Sequence, residues 1–284
     1  MKRRCLAPVI LAGLVFLLLA AFPVFSADVN DLLFEGADLH FRGRVDEAID
    51  KFREALRLAP ENEYAHNQLG TLYAKKERFE EAFGEFSRVV EIDYRNTYAH
   101  LWLGYLYLQK NDLDRGFAKF REVISLDPAN AEAYYFIGTI YNIRHNPVKA
   151  IEFLKKARDA DSEEPETHYR LGLAFSSLDM VYNALLEYER TIALKPSHTN
   201  AMNDRGWILY NQGKKDEAIA QWREVMKVNP KDRDAPSNLA KVYGDMALRL
   251  HGEGKTEEAA QCWKKMLSVQ PGNKAASYYL KKYK

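Results

Sequence analysis

Small and apolar residues recur along this chain with a single period, much longer than one helix turn. Leu69 and Tyr73, and again Leu103 and Tyr107, stand four residues apart, the spacing of one helix face. Glycine returns at Gly36, Gly70, Gly104, Gly138, Gly172 and Gly206, a constant interval of 34 residues. Twelve residues after each glycine comes a second small residue: Ala48, Ala82, Gly116, Ala150, Ala184 and Ala218. Four residues further comes a bulky one: Phe52, Phe86, Phe120, Leu154, Tyr188 and Trp222. Proline follows the second small residue by twelve positions at Pro60, Pro128, Pro196 and Pro230. A fixed interval of this length marks a tandem array of supersecondary units. The residue types predict two antiparallel helices per unit. Glycine and alanine keep the helix crossing free of side chains, and the bulky residue fills the space between the helices. Proline ends the second helix, which it cannot continue.

Counting by this period places six units at 29–62, 63–96, 97–130, 131–164, 165–198 and 199–232. A seventh, 233–273, is longer, because Pro230 and Pro271 are 41 residues apart. The extra seven residues fall in its first helix, where Leu239, Ala240 and Tyr243 are echoed by Met246, Ala247 and Leu250. Seven residues at about 100° each fall only about 20° short of two full turns, so the longer helix keeps its buried face. Ala259, Trp263 and Met266 complete the unit. The tail, 274–284, reads as a short lysine-rich capping helix, with Ala275, Tyr278 and Tyr279 covering the last unit. The whole predicts fifteen helices and no strand. Tyr94 and Ser162 replace proline, but Asn96 and the stretch 161–165 still supply turn and helix-start signals. Glu35 and Arg205 stand at normally apolar positions. Glu35 is expected at the surface, and Arg205 is expected to find Asp204 or Asp234.

The period, with this placement of glycine, alanine and proline, resembles the tetratricopeptide repeat family. Segments such as LGTLYAKKERFEEAFGEFSRVVEID and IGTIYNIRHNPVKAIEFLKKA carry the likeness, which runs from residue 28 to about 273. It implies an all-α, right-handed α-solenoid of helix-turn-helix repeats that binds a protein or peptide. It also implies a concave groove lined by positions 2, 5, 6, 9, 12 and 13 of each unit. Those positions bring forward Tyr98, Leu101, Trp102 and Tyr105 in the third unit, and Tyr135 and Phe136 in the fourth. Tyr169 and Arg170 follow in the fifth and Trp207 in the sixth. Asn142, Arg170, Asn203 and Asn211 are placed to meet a peptide backbone. Some of these rings are equally suited to pack between adjacent first helices. Some members hold chaperone tails in a lysine–asparagine carboxylate clamp. Here Leu33, Ala37, Asn67 and Gln68 occupy the relevant places, and no such clamp is expected.

Charge narrows the partners. Lys and Arg number 41 against 40 acidic residues, which lacks the basic excess a nucleic-acid-binding solenoid needs. Lys2, Arg3 and Arg4, an apolar run to Phe25 and the small residues at its end have the layout of a secretory signal peptide, 1–26, cleaved after Ser26. The alternative is an uncleaved anchor, since a run of about 20 apolar residues can span a bilayer. Either way the chain is expected to be exported, to the periplasm or beyond, touching the membrane only through that leader.

Sites for chemistry are not evident. Cys5 and Cys262 cannot build a disulfide framework or a thiolate metal site, and Cys262 is expected to be a buried small hydrophobe. His66, His100 and His168 share one register, four residues before the glycine, and read as packing residues. No phosphate-binding loop, nucleophile elbow or paired-cysteine motif occurs. Acidic pairs such as Asp46–Glu47, Glu80–Glu81 and Asp216–Glu217 sit where they favour the positive end of the second helix. No catalytic residue, cofactor or metal is expected. The expected function is that of a non-catalytic scaffold or assembly factor of the cell envelope. An accessory subunit of a larger membrane-associated complex is the alternative, and a cryptic enzyme a remote one.

Overall fold

The computed structural model describes residues 28–283, and its regular elements are fifteen helices with no strand among the described residues. The expected leader, 1–26, lies outside them. The helices come in pairs: α1 (Val29–Phe41) with α2 (Val45–Leu58), α3 (Glu63–Lys75) with α4 (Phe79–Ile92), α5 (Thr97–Gln109) with α6 (Leu113–Leu126). Then follow α7 (Ala131–Ile143) with α8 (Pro147–Ala160), α9 (Pro165–Ser177) with α10 (Val181–Leu194), α11 (Thr199–Asn211) with α12 (Lys215–Val228), and α13 (Asp234–Gly252) with α14 (Thr256–Val269). A short α15 (Lys274–Lys282) lies on the last pair. Each helix packs on its chain neighbours, and first helices of successive units also meet, α7 with α9 and α11 with α13. The result is an all-α solenoid.

Side chains set the helix starts. The side chains of Asn62, Asn96, Asn130 and Asn273 accept from the backbone N–H three residues on, at 2.8–3.1 Å, and so begin α3, α5, α7 and α15. Asp232 does the same for α13 through the Ala235 N–H at 2.8 Å. Within each unit the chain reverses through one residue in the left-handed region: Gly43, Glu77, Asn111, His145, Asp179, Gly213 and Gly254. The added residues of the seventh unit lengthen α13 to 19 residues. Its buried face, Ala235, Leu239, Val242, Ala247 and Leu250, runs its whole length.

The core shows what each glycine makes room for. The gap it leaves is filled by the bulky residue of the same unit's second helix. A Cβ at Gly70 would lie 2.8 Å from the Phe86 ring, at Gly138 2.5 Å from Leu154, and at Gly206 2.5 Å from Trp222. The bulky residues are fully enclosed as a result. At the third unit the small-residue position also lies close to the glycine, a Cβ at Gly116 coming 3.2 Å from the Gly104 carbonyl.

Arg205 and the cap differ from the sequence reading as well. The Arg205 guanidinium reaches Glu189 at 3.3 Å and donates to Gln221, both on second helices, while Asp204 accepts from the Tyr169 hydroxyl. Helical geometry explains this, since successive residues point about 100° apart: Arg205 projects toward α10 and α12, and Asp204 toward α9. Glu35 is exposed and paired with Lys51 at 2.6 Å. On α15, Ala276 and Tyr279 face the last pair, whereas Ala275 and Tyr278 face solvent. The Tyr279 ring lies parallel to the Trp263 ring with centroids 4.8 Å apart.

Candidate functional site

First helices line one side of the solenoid, and α5 and α7 give that side a row of rings. Trp102 lies flat on Phe86 of the preceding unit, centroids 5.4 Å apart, and Phe136 lies flat on Phe120 in the same way at 4.6 Å. The fully buried ring of one second helix is thus the floor under a groove ring of the next unit. Tyr98 and Tyr105 meet Trp102 edge-on at 6.2 and 5.6 Å, Tyr105 reaches Phe136 at 6.3 Å, and Tyr135 meets Phe136 at 5.2 Å. Such edge and offset contacts are favourable ring geometries.

Two pockets open along this row. One of about 260 Å³ is lined by Tyr98, Leu101, Trp102, Tyr105, Glu132 and Phe136. The other, of about 410 Å³, is lined by Tyr135, Thr167 and the carboxylates of Glu132, Asp161, Glu164 and Glu166. Glu132 and Phe136 border both, so the pockets adjoin. Glu166 pairs with Arg170 at 3.1 Å and with His198 at 3.2 Å. The His198 hydrogen bond leads in holding its carboxyl below the usual range. Glu132 goes the other way, its pKa raised by burial and then by the nearby charge of Glu164.

The nine residues expected in the groove divide. Tyr98, Leu101, Trp102, Tyr105, Tyr135 and Phe136 form one surface. Tyr98 is 43% exposed, and the other five are half-buried. Tyr169 does not join it. It is buried at 9% exposure, packed on His198 at 4.7 Å, with its hydroxyl bound to Asp204 at 3.1 Å. Arg170 is held by Glu166. Trp207 packs within its own unit against Trp222 at 5.3 Å, with Tyr210 beside it at 5.6 Å. Two asparagines expected to meet a peptide are already engaged. The Asn142 amide donates to the Arg170 carbonyl at 3.1 Å, and Asn203 is buried beside Asp232.

The sequence reading overlooked other groove residues. Phe34 and Phe41 on α1 are 77% and 92% exposed. Phe34 holds the same place in its unit as Trp102 and Phe136, but no preceding ring lies beneath it among the described residues. The register alone could have marked it. Asp161 and Glu164 lie in the turn before α9, and only the fold carries them to the groove.

The three in-register histidines are tie points between structural parts. His66 bridges Glu85 at 2.6 Å and the Pro60 carbonyl at 2.9 Å, and His168 bridges Glu187 at 2.6 Å and the Ser162 carbonyl at 3.1 Å. His100 sits 2.8 Å from the Tyr94 carbonyl, at a turn without proline, and 2.9 Å from Glu122. Cys262 is buried, and burial pushes its thiol pKa up. Among the described residues no group of three or more His, Cys, Asp or Glu is placed to hold a metal ion.

A solenoid of short helix pairs with a conserved internal register and a ring-lined inner face defines a repeat-type binding scaffold. Family models place it further. A TPR repeat model matches residues 36–77, a tetratricopeptide repeat model matches 68–130 and again 103–165, and another matches 199–232. The chain belongs to the tetratricopeptide repeat family. No curated protein matches it. Among solved structures it resembles the C-terminal part of a TPR repeat-containing protein from Cytophaga hutchinsonii. The TM-score is 0.70 at 18% identity, over 87% of this chain and 99% of that one. It also resembles pilF of Pseudomonas aeruginosa, with a TM-score of 0.67 at 15% identity over 75% of this chain and 97% of that one. A third is YrrB, described as a TPR protein with an unusual peptide-binding site, with a TM-score of 0.52 at 18% identity over 65% and 95%. At these identities the likeness speaks for the fold.

Proposed function

We propose that this protein is a non-catalytic scaffold or assembly factor of the cell envelope, which grips a protein or peptide against the rings of α5 and α7. Proteins of this fold bind protein or peptide partners. The observation that carries the reading to this face is the unbroken row Tyr98, Trp102, Tyr105, Phe136 and Tyr135 beside an open pocket of about 260 Å³. Half-buried rings held on a rigid floor present apolar area while losing little side-chain entropy on binding. An accessible apolar patch of this kind marks interaction surfaces. The basic start and apolar run of residues 1–26 support export.

Affinity purification from the native cell with mass spectrometry tests the function, comparing the natural chain with a Trp102→Ala, Phe136→Ala double variant. Partner recovery should fall at least about tenfold, as for central aromatic anchors. The melting temperature should fall less than for Phe120→Ala, which removes an enclosed floor ring. Undiminished recovery by a folded double variant would remove the groove as the binding surface. N-terminal sequencing tests export: a mature chain starting at Ala27 supports it, and one starting at Met1 or Lys2 in the cytosol refutes it.

A further inference from the structure

The groove is built for one sign of charge. Many acidic side chains are laced to Lys or Arg, as in Arg44–Glu47, Lys110–Glu80 and Arg190–Glu163. The pocket beside the aromatic row gathers three that are not. Glu132, Asp161 and Glu164 have no ion-pair partner among the described residues. Asp161 gives one oxygen to the Glu163 N–H at 3.0 Å, and Glu164 gives one to the Glu166 N–H at 3.1 Å, which leaves their other oxygens available. Arg170 and His198 are both committed to Glu166, and Lys195 also bears on that carboxylate, whereas no cation pairs with Glu132, Asp161 or Glu164 among the described residues. The charged neighbour that bears on Glu132 is the like charge of Glu164. Rings line the same space: Tyr135 and Phe136 wall the acidic pocket, and Phe136 also borders the aromatic one.

We propose that this groove takes a linear segment of a partner protein in which a bulky apolar side chain stands next to lysine or arginine. The apolar side chain enters the pocket of Tyr98, Leu101, Trp102, Tyr105 and Phe136, and the cation lies among Glu132, Asp161 and Glu164. The proposal rests on the reading of this face as the binding surface and adds its chemistry. Charge complementarity chooses the occupant. An acidic segment would meet three like charges in one pocket, which discriminates against it. A purely apolar segment would cover those carboxylates without pairing them, at a desolvation cost. A lysine or arginine both pairs them and lies against aromatic faces.

Three synthetic fluorescein-labelled octapeptides test this, each with a Leu-Phe core, flanked respectively by Lys, Ser or Glu pairs. Binding to the full chain is read by fluorescence anisotropy. The Lys-flanked peptide should bind at least about tenfold tighter than the Glu-flanked one at low salt, and the gap should narrow as salt rises. Glu132→Gln with Glu164→Gln should abolish that preference, bringing the Lys- and Glu-flanked peptides to equal affinity. Trp102→Ala should weaken all three. Equal affinity for the Lys and Glu flanks, or a preference that survives Glu132→Gln with Glu164→Gln, would overturn the proposal. So would Lys-flanked binding indifferent to Trp102→Ala, which is mere electrostatic adsorption, or no binding of any peptide. Self-association of the chain abolished by Glu132→Gln would overturn it too, by giving the groove to a second copy. If the glutamine variants misfold, the salt series on the natural chain still decides. Loss of charge preference with the Trp102 dependence intact sinks this inference alone. Loss of the Trp102 dependence sinks the groove itself.

Discussion

Gly84 and Gly206 are both helical glycines, and a methyl group should act on them in opposite directions. A Cβ at Gly84, on the exposed side of α4, would meet nothing within 4 Å. Gly84→Ala should therefore gain the helix-propensity difference of about 1 kcal/mol. At Gly206 a Cβ would lie 2.5 Å from the Trp222 Nε1, and that enclosed ring is pinned by its hydrogen bond to the Asn203 carbonyl at 3.2 Å. Overpacking of about 1–3 kcal/mol should outweigh the same propensity gain, so Gly206→Ala should lower the melting temperature. Equal shifts for the two variants would show that the ring does not dictate the glycine. The histidine tie points give a pH signature. For His66 and His168, burial works to lower the pKa, but the Glu85 or Glu187 hydrogen bond and the accepting carbonyl outweigh it, and the net shift is upward. A raised folded-state pKa contributes stability that is fully present below the ordinary value of 6.5 and is lost as pH rises through the folded value. Thermal melts from pH 6 upward should show this decline in the natural chain. It should flatten in the His66→Gln, His168→Gln variant, and an unchanged slope there would rule the histidines out as its source.

Between the helices of each pair, the left-handed turn residue is the weakest link in local design. It is glycine in three units, but Glu77 and His145 adopt φ of 59° and 54° with full side chains. The left-handed conformation costs a non-glycine residue about 1–2 kcal/mol. Part of that is returned because glycine also loosens the unfolded chain. Glu77→Gly should thus stabilise by about 0.5–1 kcal/mol in urea titrations, and destabilisation would show that the Glu77 side chain compensates for its backbone. This turn also shows where sequence reading stops. The helix pairs, the longer α13 and the capping α15 were legible because glycine, alanine and the bulky residue repeat in register. The turn was not, because four different residues accept its backbone at a cost the rest of the fold covers. The aromatic row was legible as groove residues only through the family register. Its half-buried state was not, since the floor beneath Trp102 and Phe136 comes from another unit. Tyr169 shares Tyr135's register, yet His198 and Asp204 from the following turn and helix draw it inward. Asp161 and Glu164 carry no periodic signal, because turns are free to vary.

Among the described residues every substantial contact joins helices that are near neighbours along the chain. Stability in such an array is a sum over units and their interfaces, so damage stays local. Tyr279→Ala removes the ring that lies on Trp263 and should cost the C-terminal pair about 1–3 kcal/mol. Hydrogen exchange should then quicken in α13, α14 and α15 and remain unchanged in α3 to α7. Uniform acceleration along the chain would mean one cooperative unit instead. Neighbour-only contact has a mechanical consequence as well. Among the described residues no strut ties the first pair to the seventh, so a slight rotation at each interface should add to the next, as in a spring. A partner lying from Tyr98 to Glu166 would bridge three consecutive units and stiffen the middle of that spring, while both ends remained free to swing.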